Sequence, residues 1–264
     1  PKFVLGQLAI GPVSIESSEA KPLQIERVRL RAQHEKGRLR LTLQELRQKG
    51  LPTVVARLDT TLHAQSLELH SLAVGLESGG EARLSGEVGF ADGLRTDIDA
   101  EIRALDLQAF VADLTAPIEG DFNVFVTAKP KELPAIHISG LQLGGAWQGH
   151  SLQLRARELK SDTQSVDIKE LQLRHANAQV RVNGLVGERM NLDFTGDIPD
   201  FAHISSELSG SAEFSGTAVG ALQQPDIRLR GRLDSLQSAG VSVTKATWDC
   251  LLYTSPSPRD LSTS

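Results

Sequence analysis

Cysteine is almost missing from this 264-residue chain: Cys250 is the only one, and Tyr253 is the only tyrosine. A lone thiol cannot build a disulfide framework or a cysteine metal site, so neither holds this protein together. Aromatic residues reach only 4% against 40% hydrophobic, which leaves the apolar surface to Leu, Val, Ile and Ala. No run approaches the roughly 18–20 apolar residues of a membrane helix. No signal-peptide pattern opens the chain, and Pro1 stands where a methionine would, so the sequence reads as a fragment. The net charge of −5 is spread without a basic block. Nucleic-acid binding wants a concentrated positive face with stacking aromatics, and both are lacking.

What is present is alternation. Ile136 and Ile138 alternate with His137 and Ser139, Val180 and Val182 with Gln179 and Arg181, Ile227 and Leu229 with Arg228 and Arg230. Leu84, Gly86 and Val88 alternate with Arg83, Ser85 and Glu87. A period of two places apolar side chains on one face of a strand and polar ones on the other, the signature of an antiparallel sheet with one wet side. Turn signals recur at short intervals: Ser78-Gly79-Gly80, Ala91-Asp92-Gly93, Gly144-Gly145, Val186-Gly187-Glu188 and Ser238-Ala239-Gly240. Leu41–Gly50 alternates and reads as a strand. Asp106–Leu114, with Leu107, Phe110, Val111 and Leu114 at helical spacing, is the one place for a short helix, capped by Asp106.

The chain also repeats itself. Pro134-Ala135-Ile136-His137-Ile138-Ser139-Gly140 recurs 91 residues on as Pro225-Asp226-Ile227-Arg228-Leu229-Arg230-Gly231. Leu69, Leu72 and Val74 recur as Ile168, Leu171 and Leu173, each phrase followed by a strand ending in glycine, Gly86 and Gly184. Self-similarity at a fixed period points to modular, elongated architecture. Glycines inside the strands (Gly86, Gly140, Gly184, Gly231) are candidate bulges or bends. The predicted fold is therefore all-β: an elongated, twisted, repeat-built antiparallel sheet forming an open groove, with at most one short helix near 106–114. Residues 1–249 form one continuous repeat region, with units about 67–165 and 166–249. Residues 250–264 look like a translated sequencing adapter, expected to be disordered.

Catalytic and metal chemistry find little footing. His34, His63, His70, His137, His150, His175 and His203 form no i, i+4 pair beside a carboxylate. Ser14, Ser139 and Ser209 stand in no G-x-S-x-G elbow. Ser78-Gly79-Gly80 lacks the lysine of a phosphate loop. Asp97, Asp99 and Glu101 read as a solvated acidic strip rather than a calcium site. Arg228, Arg230 and Arg232 read as the polar outer face, with contacts to neighbouring strands or lipid headgroups both open. Trp147 and Trp248 read as rim or core packing. No enzyme, cofactor or metal is predicted.

These phrases together, Pro-x-Ile-x-[Ile/Leu]-x-Gly and Ile-x-x-Leu-x-Leu with a glycine-ending strand, resemble the TamB family of the AsmA-like superfamily over roughly residues 23–249. The resemblance implies an interior length of a periplasmic body, anchored elsewhere in the inner membrane. Such a body bridges to the outer membrane as a half-pipe with an apolar groove. It also implies phospholipid acyl chains as cargo and the outer-membrane barrel protein TamA as a partner in outer-membrane protein assembly. The groove lining is predicted to be Leu84, Val88, Ile136, Ile138, Val180, Val182, Ile227 and Leu229. Two other readings stay open: a scaffold or chaperone that pairs client β-strands at a sheet edge, and a surface adhesin or polysaccharide-active β-solenoid.

Overall fold

A computed structural model describes residues 2–15, 23–48, 50–129, 132–205, 207–238 and 241–252. Among these are seventeen strands and one 3-10 turn, in two compact units. Unit 1 holds β1 (Lys2–Ile10), β2 (Val13–Ile15), β3 (Leu23–Glu35), β4 (Arg38–Gln48), β5 (Val54–Leu62), β6 (Ser66–Leu76), β7 (Glu81–Gly89), β8 (Leu94–Leu105) and β9 (Leu114–Ala128). β10 (Ala135–Trp147) is divided: Ala135–Gln142 counts with unit 2 and Leu143–Gly149 with unit 1. Unit 2 continues with β11 (His150–Ser161), β12 (Ser165–His175), β13 (Ala178–Gly187), β14 (Arg189–Ile198), the 3-10 turn Phe201–His203, β15 (Leu208–Ala221), β16 (Gln224–Ser238) and β17 (Val241–Leu252). The compact units thus divide inside β10, while the repeat phrasing divides near residue 165.

In unit 1 each strand from β3 to β9 pairs antiparallel with the next, and β1 and β2 both run along β3. In unit 2 the same holds from β11 to β17. Among the described residues β3 does not pair with β9, nor β11 with β17. The β3–β4 hairpin turns on Lys36 and Gly37, at φ of 50° and 83°. Two consecutive left-handed residues give the turn whose twist matches the strands it joins.

The alternation read from sequence sets the faces. Directly paired residues share a face in an antiparallel ladder. In unit 1 one row runs Ala32, Leu41, Leu58, Leu72, Leu84, Ala100, Phe122 across seven strands. The adjacent row Gln33, Arg40, Asp59, Ser71 is polar throughout. Among the described residues the buried hydrophobic set is mostly alanine (Ala32, Ala100, Ala156, Ala178, Ala212 and Ala218) with Leu69, Leu114 and Leu141, and only Thr60 is below 2% exposed. The long aliphatic side chains are therefore not enclosed in a core of the ordinary kind.

Several local expectations change. Leu41–Gly50 lies largely in strand β4, as read. Asp106–Leu114 forms a single turn rather than a helix: the N–H groups of Phe110 and Val111 both donate to the Leu107 carbonyl, at 2.9 and 3.0 Å, and Asp106 Oδ1 accepts from the Gln108 N–H at 3.0 Å. Strand β9 claims Leu114, which leaves too few residues to repay helix nucleation. The 3-10 turn at Phe201–His203, capped by Asp200 accepting from the Ala202 N–H at 2.9 Å, was not predicted. Gly144-Gly145 is not a turn but lies inside β10. A Cβ on Gly145 would lie 3.6 Å from the Pro117 carbonyl, an ordinary contact, so close packing does not require glycine there. Cys250, Leu251 and Leu252, read as part of a disordered tail, pair in β17 with Leu229, Arg228 and Ile227. The remainder of that tail, and Ala239-Gly240, lie outside the described residues.

Candidate functional site

The candidate site is the aliphatic face of each unit. In unit 1, Leu84 lies between Leu72 and Ala100 and Val88 between Leu67 and Thr96. Both side chains are half-buried. Val74 and Ala82, then Ile98 and Val124, extend the same parity on either side of them.

In unit 2, Val180 lies between Leu173 and Gly196, and Val182 between Leu171 and Phe194. Ile227 lies between Ala218 and Leu252, and Leu229 between Gly216 and Cys250. All four are half-buried and share one face. On β10, His137 reaches Glu158 of β11, its Nε2 2.9 Å from Oε1. Alternation turns Ile136 and Ile138 away from that charged cluster; Ile136 is 39% exposed and Ile138 half-buried. The eight predicted residues therefore divide two to unit 1 and six to unit 2, with apolar parity in both.

Sequence reasoning missed the aromatic members of the unit 2 face. Phe194-Thr195-Gly196 on β14 and Phe214-Ser215-Gly216 on β15 run antiparallel, so each phenylalanine pairs with the other strand's glycine. A Cβ added to Gly196 would meet the Phe214 ring, and one added to Gly216 the Phe194 ring; the two ring centres are 6.5 Å apart. Trp248 covers Gly231 in the same way. Gly231 is thus a seat for a ring, not a bend. The signal available in the sequence was the duplicated Phe-x-Gly.

The opposite face is charged and mostly self-neutralised. Asp59 receives Arg38 at 2.6 Å and Arg40 at 3.3 Å, and Arg38 holds its carboxyl below the usual range. Glu45 faces Arg29 at 3.4 Å and Arg27 at 3.8 Å. Arg232 meets Glu213 and Arg230 meets Asp249, each at 3.1 Å, so two of the three arginines of β16 contact neighbouring strands. Glu158 gathers Lys160 and Lys169, both at 2.5 Å, and these ammonium groups pull its carboxyl to about 2. Asn123 donates to Asp97 at 2.9 Å and to Asp99 at 3.2 Å, while Glu101 takes Arg103 at 2.6 Å, which accounts for the acidic strip. The rings of His150 and His203 meet edge to face at 4.8 Å, with His175 5.8 Å from His150. Among the described residues no set of three His, Cys, Asp or Glu is placed to hold a metal ion, and no helix is long and apolar enough to cross a membrane.

A family model described as TamB, N-terminal domain, matches residues 7–259. It therefore covers both units, and it is the model of an N-terminal domain where the sequence reading expected an interior length. No curated protein and no solved structure matches the chain.

Proposed function

The chain belongs to the TamB family, and on that premise we propose that it is a non-enzymatic segment of the cell envelope whose aliphatic faces carry phospholipid acyl chains. One observation carries the reading. In both units the long aliphatic side chains share one parity strand after strand, yet most remain half-buried while the enclosed positions go mostly to alanine. An apolar face must be buried or offered to something apolar. Unbranched methylene chains suit a lining poor in aromatics and without fixed polar handles, and each buried CH₂ contributes about 0.8 kcal/mol.

In this proposal residues 1–249 act as one continuous repeat region in the periplasm. They form part of a protein anchored in the inner membrane that supports outer-membrane protein assembly together with TamA, which binds through other regions of the protein. Photo-crosslinking tests the acyl-chain part. Crosslinkers at Ile138, Val182 and Leu229 should capture phospholipid, and those at His137, Arg181 and Arg228 should not. Equal capture at the two sets overturns it.

A further inference from the structure

Arginines on the polar faces usually meet a carboxylate across the strand, as Arg38 and Arg40 meet Asp59, Arg232 meets Glu213 and Arg230 meets Asp249. One part of unit 2 breaks that pattern. The polar row through β11, β12, β13 and β14 reads Arg155, Gln172, Arg181, Thr195. Gln172 stands where a carboxylate would neutralise the arginines on both sides of it. Arg174 sits in the next polar row, opposite Gln179.

The guanidiniums are positioned rather than neutralised. With the amides of Gln172 and Gln179 oriented to satisfy their neighbours, Arg174 donates to the Gln172 oxygen from Nε at 3.1 Å and Nη2 at 3.2 Å. Arg181 Nη2 donates to the Gln179 oxygen at 2.7 Å. A neutral acceptor fixes the fork and leaves its full charge. The carboxylates nearby do not cancel it. Glu170 is taken by Arg157 at 2.8 Å, and Asp193 forms no ion pair with these groups among the described residues.

The same residues line a depression of about 730 Å³. Its lining advances in triplets along adjacent strands, Arg155-Ala156-Arg157, Gln172-Leu171-Glu170, Arg181-Val182-Asn183 and Thr195-Phe194-Asp193. The central member of each has apolar parity and the outer two polar parity. Leu173, Val180 and Gly196, which would wall a depression on the aliphatic side, are not among them. It is a trough between two rows of polar side chains, floored by backbone. The lining carries four arginines against Glu170 and Asp193, a local net charge of 4 − 2 = +2 in a chain of net charge −5.

We propose that this trough binds a phosphate group, held by the guanidiniums of Arg155, Arg174 and Arg181 with the Thr195 hydroxyl beside them. Several forked donors lining one depression suit a multiply charged anion with three free oxygens, which can take bonds from more than one guanidinium. The group could arrive as free phosphate or as the headgroup of an anionic phospholipid. Because the trough lies on the polar parity, the proposal does not depend on acyl-chain binding.

The test uses the whole chain, calorimetric titration with inorganic phosphate, and flotation with phosphatidylcholine vesicles with and without phosphatidic acid. R155Q/R181Q removes two charge-assisted donors and should weaken binding by about a hundredfold or more. R57Q/R189Q, with the same loss of charge at polar-face arginines outside the trough, should change it less than about twofold, as screened surface charges do. Q172E supplies the missing carboxylate; it should keep the fold by circular dichroism and abolish binding. Binding of phosphate alone identifies the free ion as ligand, and retention only on phosphatidic-acid vesicles identifies the headgroup. Binding to neither, equal losses in the two double variants, or full binding by Q172E overturns the proposal.

Discussion

Glu158 shows how much one residue can organise. Two lysines and His137 converge on its carboxylate from β10, β11 and β12, and Lys160 and Lys169 draw its pKa from the ordinary 4.5 to about 2. The neighbouring repeat meets the same need differently, with Arg230 on Asp249. A carboxyl whose folded pKa is depressed stabilises the fold while it is ionised, because the unfolded chain binds the proton more readily. That contribution is full above about pH 4.5 and is lost as the pH falls towards 2. Denaturant midpoints for wild type and E158Q should therefore differ at pH 6 and converge as the pH falls below about 4.5. A constant difference across that window would show that packing, not charge, is responsible. None of this convergence was legible from sequence, where Glu158, Lys169 and His137 are three unremarkable polar residues on separate strands.

Strands were legible because alternation is a property of consecutive residues. Register was not, because bulges depend on what a strand meets. The ladder slips between Leu69 and Leu72 and again between Ile168 and Leu171. The partner at each slip is a glycine with positive φ, Gly86 at 145° and Gly184 at 126°. These are the two glycine-ending phrases of the repeat, so the echo in sequence corresponds to a repeated bulge device. The sequence signalled the glycines; it did not show that the bulged residue lies on the preceding strand, where Glu170 takes φ of 56°. A Cβ at Gly86 would overlap the Asp97 carbonyl, and one at Gly184 the Asn191 carbonyl. G184A should thus cost about 2–3 kcal/mol in chemical denaturation, from strained φ and displaced backbone together. G149A, in a turn at φ of 83° with open space around the missing Cβ, should cost about 1 kcal/mol. Equal costs would mean that only φ matters and that the close approach of β14 is not part of the device. The turn at 106–114 failed as a helix for a related reason: local periodicity favoured it, and the neighbouring strand took its last residue.

Across the molecule, each unit keeps its two parities apart from strand to strand, and that separation is what a low-aromatic, aliphatic-rich composition supports. The apolar parity of the candidate lining is a property of consecutive residues and was legible in the sequence; that it lines a groove is the proposal. The Phe-x-Gly seats were not, because a ring over a glycine needs two strands in register. A lining that works by parity makes a prediction about the kind of substitution rather than its exact position. Leu84→Asp in unit 1 and Val182→Asp in unit 2 each place a carboxylate where an acyl chain would strip it of water, at a cost of about 2 kcal/mol or more. Each should reduce binding of a fluorescent fatty-acid probe by roughly thirtyfold or more at its own unit's face. Ser85→Asp and Ser215→Asp add the same charge one residue away or two strands away, at polar parity beside Asp99 and Arg230. They should leave probe binding unchanged. Thermal melts of all four variants separate loss of binding from loss of fold. If the polar-parity aspartates reduce binding as much as the apolar-parity ones in stable protein, the probe is responding to overall charge, and the aliphatic faces are not where it binds.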